Sequence, residues 1–132
     1  MSITEQFQHH KYINLTTYRK NGTPVPTPVW FVEMDGALYV FTGGQSGKSK
    51  RIRANGRASV APSDARGNPL GEFQLATACF ISEEAIKKLI DEMYNQKYGL
   101  TRRFLNLMIR MRRVTPDESV LIKLSFEDSP VK

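Results

Sequence analysis

Short apolar runs separated by turn residues dominate the first 81 residues of the chain, and helical spacing of apolar positions takes over after Ser82. Residues 12–19 (YINLTTYR) read as a strand, and Asn21-Gly22 reads as a two-residue hairpin turn because both positions tolerate positive φ. The run PVPTPVWFVE follows, with prolines at 24, 26 and 28 that hold its first half extended at a sheet edge. Asp35-Gly36 makes a second hairpin turn into ALYVFT. RASVAPSD, EFQLATACFI and, after Thr115-Pro116, SVLIKLSF supply three more strands. A short surface helix over 46–55, capped by Ser46 and ended by Asn55-Gly56, has Ile52 as its only large apolar residue. Ser82 caps a second helix with Ile86, Leu89, Ile90, Met93, Tyr94 and Tyr98 at helical spacing, stopped by Gly99. The stretch RRFLNLMIRMRR is helical again, apolar in its middle and basic at both ends.

Several strands are apolar on both faces, as in LYVF, which one flat, half-exposed sheet does not require. The fold class is therefore α+β: a closed or partly closed antiparallel β-barrel of about six strands with flanking helices, as one domain over residues 1–132. A chain of 132 residues holds one core, not two. No apolar run reaches bilayer length, and MSITEQFQHHKY carries no apolar signal-peptide core. The single cysteine, Cys79, reads as a small buried apolar residue and leaves no disulfide to form, which points to the cytoplasm. His9-His10 has no third ligand to suggest a metal.

The net charge of +6 asks for polyanionic partners, and the basic residues cluster in Lys48–Arg57 and Arg102–Arg113. The first cluster lies in TGGQSGKSKRIRANGR, whose glycines and cations suit a phosphate. Gly47-Lys48-Ser49 matches the end of a P-loop, but Thr42 stands where its first glycine belongs and Gly43 leaves the loop one residue short. No nucleophile elbow of the G-x-S-x-G type occurs, so hydrolase chemistry has no foothold.

KYINLTTYRKNGTPVPTPVWF, then LYVFT, then SGKSKRIRANGRASVAPSDARG together resemble the pyridoxamine 5′-phosphate oxidase-like split-barrel proteins over residues 11–81. Within them the chain is most similar to the small branch that uses the deazaflavin coenzyme F420. The resemblance makes the barrel a six-stranded antiparallel split β-barrel, and it implies a flavin-type cofactor, F420 or alternatively FMN, held in a groove at a homodimer interface. It implies that Val29, Trp30 and Phe31 lie along the cofactor ring with backbone contacts. Thr42, Ser46, Gly47 and Lys48 would then surround the phosphate, with Lys50 and Arg51 as further phosphate or tail contacts. The FMN-using oxidases usually carry arginine before the matching lysine. Gly47 here removes that ligand, which suits the deazaflavin branch.

The implied activity is hydride transfer to or from a small organic substrate, with no catalytic side chain named because the cofactor supplies the chemistry. The alternatives are a non-catalytic carrier of flavin or haem and, third, a nucleic-acid-binding barrel. That third reading needs basic residues interleaved with exposed aromatics along strands, whereas here they gather on a loop-helix and a late helix, so no nucleic acid is expected. For 102–113, closure of the barrel or a dimer contact is the stronger reading. Contact with an anionic membrane is the weaker. A dimer also follows from Tyr39 and Phe41, apolar strand residues that need cover.

Overall fold

The structure is a computed structural model and describes residues 3–111 and 119–126. A short 3-10 helix (Ile3–Phe7) leads into β1 (Tyr12–Tyr18), β2 (Pro24–Val29), β3 (Val32–Met34) and β4 (Ala37–Gly43). Then come α1 (Gly47–Asn55), β5 (Arg57–Ser63), β6 (Gln74–Ile81), α2 (Glu84–Met111) and β7 (Ser119–Phe126). Among the described residues the sheet has seven antiparallel strands, not six. The extra one arises because PVPTPVWFVE is not a single strand: it breaks at Trp30-Phe31, with β2 pairing β1 and β3 pairing β4.

That break reveals the shape. The strand order is β2-β1-β5-β6-β7-β4-β3, so the two strands joined by Trp30-Phe31 stand at opposite edges. In a flat sheet, six inter-strand spacings would part them by about 29 Å. The link from Val29 to Val32 spans three Cα steps, at most about 11 Å. The sheet must therefore curl until its edges nearly meet, and the split lies at Trp30-Phe31. The prolines of β2 fall on an edge strand, where a missing N–H costs no ladder bond.

Turn chemistry is only partly as expected. Asp35 (φ 53°) and Gly36 (φ 80°) both take positive φ, as a type I′ turn requires. At the first hairpin, Tyr18 pairs with Pro24, Arg19 N donates to Thr23 O at 2.9 Å, and only Gly22 (φ 89°) is left-handed. That is a three-residue loop, Lys20-Asn21-Gly22, rather than a two-residue one.

Two apolar clusters result from the alternation of side chains across the sheet. Ile13, Leu15, Leu38, Val40, Val60, Ile122 and Leu124 fill the barrel together with Phe7 and Phe31. Ile52 joins them, so α1 is seated on the barrel by this residue rather than lying free on the surface. The outer face of β3, β4 and β7 (Val32, Tyr39, Leu121) packs on Ile90, Tyr94 and Tyr98 of α2. Tyr39 and Phe41 thus find their cover within the chain, which removes the sequence-based reason for a dimer at that face.

Gly99 (φ 45°, ψ −118°) kinks α2 without ending it, and helix resumes at once. Beyond the kink Phe104, Leu105 and Leu107 are exposed, so these three side chains do not close the barrel. Its last two residues, 112 and 113, lie outside the described ones. Cys79 is exposed, not buried, because its register puts it on the outer face of β6 opposite Lys123. Among the described residues no helix is long and apolar enough to cross a membrane, and no cluster of His, Cys, Asp or Glu could hold a metal.

Candidate cofactor site

The turn after β4 carries directly into α1, and hydroxyl groups fix the join. Ser46 is extended (φ −65°, ψ 159°) and its Oγ accepts from Ser49 N at 3.2 Å, a serine N-cap. Ser49 is fully buried, its Oγ donating to Gly43 O at 2.8 Å, and Thr42 Oγ1 lies 3.5 Å from Ser46 Oγ. At the other end Gly56 (φ 69°) closes the helix by donating its N–H to Ile52 O. The first turn of α1 is thereby locked with its amide groups aimed outward, the arrangement that favours an anion.

Cations crowd this end. Arg51 is anchored by Nε donating to Thr17 Oγ1 at 2.6 Å. Burial, and then the Arg51 charge, lower the pKa of Lys48; burial, and then Arg19, lower that of Arg51. Arg51 thus acts on Lys48, and Arg19 acts on Arg51. The ion pairs Lys87–Glu84 and Arg102–Asp91 lie on α2, away from them. Like charges gathered this way are costly until a polyanion joins them.

Gly47 sits at the first helical position, and the Arg51 guanidinium lies over the place of its missing side chain. A Cβ built there would lie 2.8 Å from Arg51 Nη1. The guanidinium occupies the space that a side chain at 47 would take. Where the FMN-using oxidases are expected to have an arginine before the lysine, this chain brings one from the next turn of the helix. Gly47→Ala should hold or slightly raise the melting temperature, since alanine is the better helix former. It should also displace the guanidinium and weaken phosphate binding several-fold; unchanged affinity in a titration would show that Arg51 adds nothing.

At the split the backbone is held by side chains of α2. Two residues past the end of the β1–β2 ladder, Phe31 comes opposite Lys11. Tyr98 Oη is inserted there, accepting from Phe31 N at 2.9 Å and donating to Lys11 O at 2.8 Å. Two residues past the β3–β4 ladder, Trp30 comes opposite Phe41. Tyr94 Oη bridges that pair, accepting from Phe41 N at 3.2 Å and donating to Trp30 O at 2.9 Å. Each tyrosine replaces one backbone hydrogen bond on its own side of the split, and burial raises both phenol pKa values far above the ordinary one. The Trp30 ring stacks on Tyr98 (centroids 4.2 Å, 7°), while the Phe31 ring is buried in the barrel against Phe7. Lys97 Nζ donates to Phe31 O at 2.9 Å and lies 3.4 Å from the Phe31 ring centroid. Burial of that ammonium lowers its pKa to about 8, although the residue as a whole keeps solvent contact.

The model of the pyridoxamine 5′-phosphate oxidase family matches residues 2–127. The chain belongs to that family. Among solved structures of the same fold, the haem storage protein HutZ of Vibrio cholerae superposes with a TM-score of 0.69 at 14% identity, covering 96% of this chain and 89% of that one. A FAD-binding protein of Mesorhizobium loti gives 0.64 at 17% identity (95% and 87% covered), and General Stress Protein 26 of Bacillus anthracis 0.63 at 23% (95% and 86%). No curated protein matches the sequence.

Within this pyridoxamine 5′-phosphate oxidase-family barrel, the sequence-derived residues fall into two groups. Thr42, Ser46, Gly47, Lys48 and Arg51 converge at the α1 N-terminus, and Lys50 is exposed on the same helix. Val29, Trp30 and Phe31 form the split, where the Trp30 carbonyl and both backbone groups of Phe31 are engaged by Tyr94, Tyr98 and Lys97. Sequence reasoning missed Thr17, which is fully buried beside apolar Ile13 and Leu15. A polar residue continuing that inward alternation (13, 15, 17) was the available signal. Helical spacing marks the two tyrosines only as apolar positions, and their hydroxyls give no sign of their acceptors in a linear sequence.

Proposed function

We propose that this family member binds a phosphate-bearing, flavin-type cofactor and works as an oxidoreductase on a small organic substrate. The observation that carries the reading is the serine-capped N-terminus of α1, over which the Thr17-anchored Arg51 guanidinium lies next to Gly47, with Lys48 in the first turn. The donor set fits the cofactor's phosphate: helix amides, the Thr42 and Ser46 hydroxyls, Lys48 and the Thr17-anchored Arg51 would hold it. When bound, the cofactor supplies hydride transfer. The chain's part is to neutralise the phosphate and to keep the Trp30-Phe31 backbone fixed for the ring. Membership of a family that generally binds flavins supports this, as does the likeness in fold to a FAD-binding protein.

Within that reading we favour F420 over FMN. Arg51 restores the charge that Gly47 forgoes, so charge at the phosphate does not separate the two. The preference rests on the resemblance in Ser46-Gly47-Lys48 and on exposed Lys50, available to an acidic tail. Direct titration of purified protein with both cofactors tests it, and tighter binding of FMN would overturn it. Enzyme or carrier is a separate matter, since the similarity in fold to a haem storage protein favours a non-catalytic second reading. Stopped-flow reoxidation of the reduced, loaded protein by candidate acceptors distinguishes them.

The cofactor groove is proposed to form between two copies in the cytoplasm, with exposed Leu70, Phe73 and Leu75 as the apolar surface that a second copy covers. A monomer in sedimentation that still binds cofactor fully would count against this.

Binding should also move protons. A bound phosphate favours the ammonium form of Lys48, so binding takes up protons where free Lys48 is partly neutral, and affinity falls as pH rises through its lowered pKa. Folding has the opposite sign: between that pKa and 10.5 the unfolded chain holds this proton more tightly, so this group's contribution to cofactor-free stability rises with pH. Calorimetry in two alkaline buffers of different ionisation enthalpy reads the uptake. Equal apparent heats would mean that Lys48 does not meet the phosphate.

A further inference from the structure

Beyond Gly99 the helix α2 leaves the sheet. Tyr94 and Tyr98 are buried before the kink, whereas after it Leu100 is 79% exposed, Phe104 61% and Leu107 51%. These three stand at i, i+4 and i+7 and form one apolar stripe. Arg102 folds back over the kink, its guanidinium on Asp91 Oδ1 (2.6 Å), Asp91 O (2.9 Å) and Asn95 Oδ1 (2.8 Å), and so fixes the outgoing direction. The positive φ of Gly99 makes the bend a built feature, since other residues rarely adopt it.

The charge around the stripe indicates what covers it. Residues 100–111 contain three arginines and no carboxylate, in a chain of net charge +6. Arg102 is paired with Asp91, but Arg103 and Arg110 leave the segment itself positive, and a second copy seated there across a two-fold axis would bring together two segments of like charge. An anionic lipid surface meets both the apolar stripe and the positive charge. We propose that the distal part of α2, through Leu100, Phe104 and Leu107 with Arg103 beside them, docks on an anionic membrane surface. Helix of this kind lies in the plane of the interface, so the barrel stays in water.

The test is co-sedimentation of the full chain with phosphatidylcholine vesicles, with and without phosphatidylglycerol. The protein should pellet with the anionic vesicles and remain in solution with the neutral ones. A Leu100→Ser/Phe104→Ser/Leu107→Ser variant should bind the anionic vesicles at least about tenfold more weakly, from loss of buried apolar area. Arg103→Glu should weaken binding too. These side chains are exposed, so the melting temperature should stay near that of the parent; should the triple variant fail to fold, Phe104→Gln alone gives the same direction of change. Failure of the parent to pellet with anionic vesicles overturns the proposal, as does undiminished binding by the folded variants. Conversion of a dimer to a monomer by the serine substitutions would also overturn it, because a second copy would then be the cover.

Discussion

Lys48→Ala should weaken cofactor binding by roughly ten- to a hundredfold while leaving the fold intact. The substitution removes one charge-assisted contact at a half-buried helix terminus, a loss of about 1.5–3 kcal/mol. The folded protein gains little from this lysine without ligand, because burial and the Arg51 charge both work against its ammonium. Its removal therefore leaves the urea midpoint unchanged or slightly higher. The remaining affinity should also depend less steeply on salt, with one cation fewer at the phosphate. Lys20→Ala is the control: this residue sits in the exposed first hairpin loop and should change nothing. If Lys48→Ala and Lys20→Ala bind like the parent, or both weaken equally, the basic turn is only a solvated face.

The second large effect concerns stability. Tyr98→Phe should lower the free energy of unfolding by about 2–3 kcal/mol, because Phe31 N–H and Lys11 C=O both lose their partner, one of them deep in the protein. Tyr94→Phe should cost less, about 1–2 kcal/mol, since its bond from Phe41 N is already long at 3.2 Å. The ring of each remains, so the packing on Trp30 and Phe41 is kept and the measured change belongs to the hydroxyl. The two sites lie on either side of one split. Removing both should therefore cost less than the sum, because loss of either clasp already loosens the register that the other needs. Urea unfolding of the two single variants and the double variant reads all three quantities. Changes below about 0.5 kcal/mol would mean that the ladder closes across the split without the tyrosines.

Much of this was legible because local chemistry and global fold agree. Asp35-Gly36 specifies its turn, Ser46 and Gly56 delimit α1, and SVLIKLSF coincides with β7 residue for residue. The split was not legible, because PVPTPVWFVE has nothing in its own composition to stop it at Trp30. What interrupts it is closure of the barrel and the hydroxyls of two residues more than sixty positions away. The exposure of Cys79 escapes the sequence for a related reason: β6 is apolar enough to suggest burial on both faces, but in the chain alone one face meets water. At the site, Ser46, Gly47 and Lys48 could be named from a motif. The role of Gly47 could not, since it depends on Arg51 folding back along the helix and on Thr17 of another strand holding it.

The N-terminus of α1 is proposed to hold the phosphate of the cofactor. Parallel titrations of the purified protein with FMN and with riboflavin, and with the deazaflavin carrying and lacking its phosphate-bearing tail, test it most directly. The phosphate-bearing member of each pair should bind at least about tenfold more tightly. That advantage should shrink in Lys48→Ala. Equal affinity within each pair, unchanged by the substitution, would contradict the claim.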